Sequence, residues 1–227
     1  MEKISTVSSL DLGRIKYQEA YNLQKEYFNK LISQKLEGIQ GDEYFLLCEH
    51  NPVFTIGKSG KENNMLLSAE RLEALGLEYF HIDRGGDITY HGPGQITAYF
   101  IFDLEKHHLG LKQFVHQLEE AVIMFLKKYG VNGERMDGAT GVWIDKDFPG
   151  KQRKICAIGI RSSRFVTMHG IGLNINTDLE MFGLINPCGF IDKGVTSLAK
   201  EIGTEVSMEE AKSKLKECVE NVFFPVG

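Results

Sequence analysis

No stretch of this 227-residue sequence is long and apolar enough to cross a bilayer as a helix. The longest nearly uninterrupted apolar run, Ile96 to Phe102, falls far short of the roughly 18 residues a spanning helix needs. Met1 to Gly13 is polar and holds no signal-peptide core, so a cytoplasmic protein is expected, with no membrane partner. Charge of one sign is also lacking: 26 Lys and Arg against 31 Asp and Glu leave a formal net charge of -5, with no global pull toward nucleic acid or anionic lipid. The four cysteines, Cys48, Cys156, Cys188 and Cys218, are widely separated and form no C-x-x-C pair, so nothing points to a zinc site or a disulfide framework. Pro/Ser-rich linkers, internal repeats and low-complexity tracts are missing too.

What is present is the composition of a globular chain, 42% hydrophobic and 25% charged, with material for one substantial core. Ile15 to Leu36 carries apolar and aromatic residues at helical spacing, and a strand pair is expected around Tyr44–Cys48 and Val53–Ile56. Ser68 can cap a short helix that Gly76 ends, and Leu77 to Ile82 has strand composition. Ile96 to Phe102 reads as a buried strand, and Leu111 to Tyr129 as an amphipathic helix stopped at Gly130. Short strand-like runs follow at Gly141–Ile144, Lys154–Ile160, Phe165–His169 and Ile171–Ile175, too closely spaced for repeated βαβ crossovers. A capping box, Ser207-x-x-Glu210, opens a C-terminal helix. The reading is a single α/β (α+β) domain over residues 1–227, with a mixed or antiparallel sheet flanked by helices and room for a small C-terminal subdomain at 192–227.

Four segments carry unusual chemistry. Arg84-Gly85-Gly86-Asp87-Ile88-Thr89-Tyr90-His91-Gly92-Pro93-Gly94-Gln95 packs four glycines among polar side chains, a composition that suits either a decorated hairpin turn or a backbone that approaches a ligand closely. It matches neither a Walker A nor a dinucleotide fingerprint, and Gly57-Lys58-Ser59-Gly60-Lys61 also fails the phosphate-loop spacing. Lys154 enters the apolar run Ile155-Cys156-Ala157-Ile158-Gly159, either as an exposed strand start or as a catalytic charge. By strand alternation it shares a face with Cys156. His169-Gly170-Ile171-Gly172-Leu173-Asn174 sets a histidine beside glycines at what reads as a strand junction, and Cys188 lies in the turn Asn186-Pro187-Cys188-Gly189. Basic residues outnumber acidic ones from Lys146 to Arg164, which reads as a solvated edge or as a local patch for an anionic partner.

RGGDITYHGPGQ, KICAIGIR, HGIGLNIN, INPCG and VTSL, in that order, resemble the lipoyl(octanoyl) transferase family, the octanoyl-carrier-protein:protein transferases of lipoate biosynthesis. The resemblance implies a fold similar to the biotin/lipoate ligase catalytic domain. It makes Cys188 an acyl-thioester nucleophile and Lys154 the residue that lowers its pKa. It assigns substrate binding to Arg84, Gly85, Gly86, Asp87, Ile88, Thr89, Tyr90 and His91, to Ala157, Ile158 and Gly159, and to Gly170, Ile171 and Gly172. Gly172 stands where the family often has Ala, and Phe190 where Ile is common, so preferred chain length follows less directly than reaction type. The implied donor is octanoyl-acyl carrier protein, with the acyl group on its phosphopantetheine arm. The implied acceptors are lipoyl domains of 2-oxoacid dehydrogenase E2 subunits or the glycine cleavage H protein. No ATP or metal is implied, and a monomer is expected. An ATP-dependent lipoate-protein ligase of the same fold would need an adenylate site, whereas here His91 is followed by Gly92-Pro93-Gly94-Gln95. A non-catalytic lipoyl-domain-binding protein would have no use for both Lys154 and Cys188.

Overall fold

A computed structural model describes residues 7–186 and 193–225. Its elements, in chain order, begin with β1 (Val7–Ile15), α1 (Tyr17–Leu36), β2 (Glu43–His50) and β3 (Val53–Ile56). Next come α2 (Ala69–Ala74), β4 (Glu78–His81), β5 (Ile88–His91), β6 (Gln95–Ile101) and α3 (Leu111–Lys127). The chain continues through β7 (Glu134–Met136), β8 (Ala139–Ile144), β9 (Arg153–Ser163), β10 (Val166–Asn174), β11 (Gly194–Val195), α4 (Leu198–Ile202) and α5 (Met208–Phe223).

An eight-stranded sheet runs β1-β2-β6-β10-β9-β8-β7, with β11 added to β9. β1 lies parallel to β2 and β11 parallel to β9, while the remaining pairs are antiparallel, so the sheet is mixed. A separate three-stranded sheet has the order β4-β3-β5. The expected pairing of β2 with β3 does not form: β2 joins the large sheet and β3 the small one. The two runs expected around His169 and Ile171 form one continuous strand, β10. β1 was not anticipated, because its polar sequence at a sheet edge carries no apolar alternation.

Helices cover the large sheet according to their apolar faces. Phe114, Leu118, Val122, Phe125 and Leu126 of α3 recur at helical spacing and pack with Leu215, Val219 and Phe223 of α5 against Phe45, Phe100, Ile171 and Leu173. Each such side chain, fully buried, stabilises the fold by about 1.5–3 kcal/mol. Gly130, left-handed at φ 73°, ends the α3 region, and Ser207 accepts from the backbone N–H of Glu210 at the start of α5. On the other sheet face Ala20, Phe28 and Leu31 of α1 cover Leu46, Tyr99, Ile101 and Met168. That cover stops short of Gly170. Beyond it the small sheet, with its own core of Phe54, Ile56, Ile88 and Tyr90, faces the large one across a cavity.

Candidate functional site

The cavity holds about 310 Å³. Strand register makes its floor shallow: Gly170 pairs with Gly159 on one side and Tyr99 on the other, and Gly172 pairs with Ala157 and Thr97. Four neighbouring positions on two strands thus present almost no side chain. A Cβ at Gly170 would run into the Ala98 carbonyl, and one at Gly159 would lie 2.8 Å from the Gly85 carbonyl oxygen, so strand and roof approach too closely for anything larger. The roof comes from Arg84, Gly86, Asp87, Ile88, Thr89 and His91. Its glycine segment is stitched to the floor by the Gly85 N–H, which donates to Ile160 O at 3.1 Å.

One end of the trough is cationic. Lys154 and Lys193 both line it, brought together because β11 pairs Gly194 with Arg153 and Val195 with Lys154. The Lys154 ammonium donates to Thr140 O at 3.1 Å and lies 4.6 Å from the centroid of the Trp143 ring. Arg153 next to it turns away and pairs with Glu201 and Asp145, which hold its guanidinium charged, while Arg153 in turn holds the Glu201 carboxyl below the usual range.

A chain of amides crosses the middle. His91 Nδ1–H donates to Gln95 Oε1 at 2.7 Å, Gln95 Nε2 donates to Tyr90 O and to Asn174 Oδ1, and Asn174 Nδ2 donates to Thr196 O at 3.0 Å. Burial draws the His91 imidazole down to about 3, so it is neutral at pH 7. Behind it, burial likewise lowers His50 to about 4, and this ring donates to Ile15 O and accepts from the Tyr99 hydroxyl at 2.6 Å.

Beyond the glycine floor the lining includes His169, which charged groups hold from behind. Asp83 accepts from His169 Nε2–H at 3.0 Å and pairs with Arg161; the His169 hydrogen bond is the main reason its carboxyl sits below the usual range. His169 has a left-handed backbone (φ 67°) in the middle of a strand and is only 2% exposed. Arg84 folds inward, donating to the Thr55 carbonyl at 2.7 Å and to the Gly85 carbonyl at 3.0 Å.

Among the expected site residues, Arg84, Gly86, Asp87, Ile88, Thr89, His91, Lys154, Ala157, Ile158, Gly159, Gly170, Ile171 and Gly172 line this one cavity. Gly85 and Tyr90 stand behind its wall; the Tyr90 ring packs on Phe54 and Phe182, and burial pushes its hydroxyl up to about 12. Cys188 lies outside the described residues. Cys156 does not share the face of Lys154. The register slips between Val142 and Trp143, leaving Ile155 as an extra residue in β9, so Ile155 and Cys156 both enter the core while Lys154 lines the cavity. The Cys156 thiol is fully buried, which pushes its pKa well up. The basic stretch is largely neutralised within the fold: Lys146 faces Glu134, Arg153 faces Glu201 and Asp145, and Arg161 faces Asp83. Tyr17, Thr97, Tyr99, Trp143, His169 and Lys193 also belong to the lining and carry no such expectation, except that His169 stands out beside its glycines. Tyr17 and Trp143 arrive from distant elements, and no local pattern in the sequence marks them.

Among the described residues no group of three or more His, Cys, Asp or Glu could hold a metal ion, and no helix is long and apolar enough to cross a membrane.

Comparison with known proteins adds three findings. The model of a family described as the lipoyl protein ligase A/B catalytic domain matches residues 16–220. An octanoyltransferase of Parabacteroides distasonis is 58% identical over 213 residues, which cover 94% of this chain and 96% of that protein; one of Bacteroides thetaiotaomicron is 54% identical over 207 residues, 91% of each. In structure the chain is similar to a bipartite lipoate protein ligase of Thermoplasma acidophilum, with a TM-score of 0.70 over 96% of this chain and 84% of that one, at 14% identity. That last likeness concerns the fold alone.

Proposed function

Since the chain belongs to the lipoyl protein ligase A/B catalytic domain family and is an acyltransferase of the octanoyltransferase kind, we propose that it moves an octanoyl group from acyl carrier protein to a lysine of a lipoyl domain through a thioester on Cys188. The observation that carries this reading is Lys154, an ammonium held at the end of a trough floored by Ala157, Gly159, Gly170 and Gly172. A flat floor without side chains suits an alkyl chain. Burying its six methylenes at about 0.8 kcal/mol each supplies on the order of 5 kcal/mol of binding.

In the first step the Cys188 thiolate adds to the thioester carbonyl of the donor, and the carrier's pantetheine thiolate leaves. In the second, the lysine amine of the acceptor attacks the Cys188 thioester, a proton leaves the amine, and the Cys188 thiolate departs from a new amide. A thiol with pKa near 8.5 is only about 3% thiolate at pH 7, whereas a neighbouring cation that lowers it to about 7 makes roughly half available. Lys154 supplies that charge, and once neutral it can take the proton of the incoming amine. Since the thioester is already activated, neither step calls for ATP or a metal. A cytoplasmic monomer fits these partners. Lys151 and Arg164, both exposed, form no ion pair among the described residues, and an acidic carrier would dock there.

The test is the intact mass of the purified chain after incubation with octanoyl-acyl carrier protein without ATP, beside a Cys188→Ala control. A single octanoyl adduct, labile to hydroxylamine and missing from the control, supports the thioester. Lipoyl-domain modification that appears only with octanoate and ATP would make the chain a ligase.

A further inference from the structure

We propose that His169, held in place by Asp83 and through it by Arg161, forms the end wall of the acyl trough and sets the greatest length of chain it accepts, an inference that rests on the acyl-transfer reading above. The trough has a direction. Lys154 and Gly159 are five residues apart on β9, and with the bulge at Ile155 taken out the remaining four regular steps span about 13 Å at roughly 3.3 Å per residue. The floor between them is made by Ala157, Gly172 and Gly170, with Ile158 and Ile171 beside it. An acyl chain whose carbonyl sits at Lys154 therefore runs along Ala157 and Gly172 toward Gly159 and Gly170, and at that level it meets His169, whose register partner is Ile160.

His169 reaches the trough through its backbone. Strand alternation would aim it at the opposite sheet face, since Met168 and Gly170 flank it. The left-handed φ of 67° turns the ring instead toward α1, where Tyr21 lies against it at 5.9 Å. A left-handed conformation disfavours residues with a Cβ, so a histidine held there marks a place where the ring matters. The wall also joins the cavity's two halves: Asp83 directly precedes the Arg84-Gly85-Gly86 roof, while Arg161 and His169 stand on floor strands. The three side chains satisfy one another. A chain that pushed further would have to break the His169 hydrogen bond to Asp83, a carboxylate only 32% exposed, and leave both groups facing an alkyl chain, which resists penetration more than an apolar end would.

The experiment compares the full-length wild type with His169→Gly and Asp83→Ser. It reads initial rates of transfer to a lipoyl domain from carrier protein loaded with chains from hexanoyl to tetradecanoyl. Glycine accepts the φ of His169 without strain, so His169→Gly keeps the fold, and thermal unfolding checks this. The wall predicts that the dodecanoyl-to-octanoyl rate ratio rises about tenfold or more in both variants. A ratio that stays at the wild-type value while both rates fall together overturns the proposal and leaves the cluster a structural role only. Should the wild type transfer no acyl group, the transferase reading fails, and the wall is judged by binding. Dodecanoate must then raise the unfolding midpoint of His169→Gly more than that of the wild type, and equal shifts overturn it.

Discussion

The ammonium of Lys154 lies over the face of Trp143, 4.6 Å from the ring centroid, and Trp143 is the only tryptophan in the chain. Both residues line the cavity, and the indole N–H is anchored to Ala139 O at 2.8 Å, so the ring cannot drift. Intrinsic fluorescence therefore reports on the state of this lysine. Titrating the protein with octanoyl-carrier protein should change tryptophan emission in the wild type and much less in Lys154→Met. Equal changes in both proteins would mean that the ligand does not reach this end of the trough. Trp143→Leu, which removes a cation–π contact of about 0.5–1 kcal/mol and also leaves a void where a buried indole stood, should slow acylation without abolishing it and lower the unfolding midpoint.

The two candidate thiols make opposite demands. Cys156→Ala should keep the octanoyl adduct and lose about 1 kcal/mol of stability from the small void it leaves in the core, read by urea unfolding. Cys188→Ala should keep stability and lose the adduct. Loss of transfer only in Cys156→Ala would reverse the assignment.

Charge reversal separates docking from folding along the basic stretch. Lys151→Glu and Arg164→Glu should raise the KM for octanoyl-carrier protein at low salt and leave the unfolding midpoint alone. Arg153→Glu should instead destabilise the protein by on the order of 1–2 kcal/mol, because it strands Glu201. That cost is smaller than for a fully buried pair, since the Arg153 side chain is 25% exposed. An unchanged KM for the first two variants rules this surface out as the docking site.

Stability should fall as pH drops from 7 to 5. His50 at about 4, His91 at about 3 and the lowered His169 all owe their depression first to burial, which disfavours the charged ring. In the unfolded chain these rings take up protons near pH 6.5 while the folded protein does not, so the stability they contribute is present above that pH and is lost as pH falls toward the folded values. Urea midpoints at both pH values, for the wild type and for His50→Gln, measure it; the variant should show the shallower decline. Identical slopes would mean that His50 is not neutral in the fold.

Local chemistry made some elements legible. The spacing of Phe114, Leu118, Val122 and Phe125 gave α3, and Ser68 and Ser207 cap the helices they were expected to cap. The glycine-rich segments were recognisable as places of close approach, and most of their residues meet in one cavity. Pairing partners were less accessible, because β2 and β3 are adjacent in sequence yet belong to different sheets. The bulge at Ile155 defeated alternation, since one extra residue in β9 moves Cys156 to the other face, and nothing in Lys-Ile-Cys-Ala announces it. Lys193 beside Lys154 could not be foreseen either. Their proximity depends on two residues of β11 pairing with a strand some forty positions earlier.

The cavity is closed by two sheets with separate cores, and this has a kinetic side. The floor is tied into the large core that α3 and α5 complete, whereas the roof rests on a small cluster around Phe54, Ile56 and Tyr90. Segments with fewer buried contacts open at lower free energy than the global fold. Amide protons of β3 and β5 should thus exchange with deuterium long before those of β6 and β10. A seated acyl chain, touching both halves, would slow the roof's exchange toward that of the floor, so the breathing of one small sheet governs how fast product can leave.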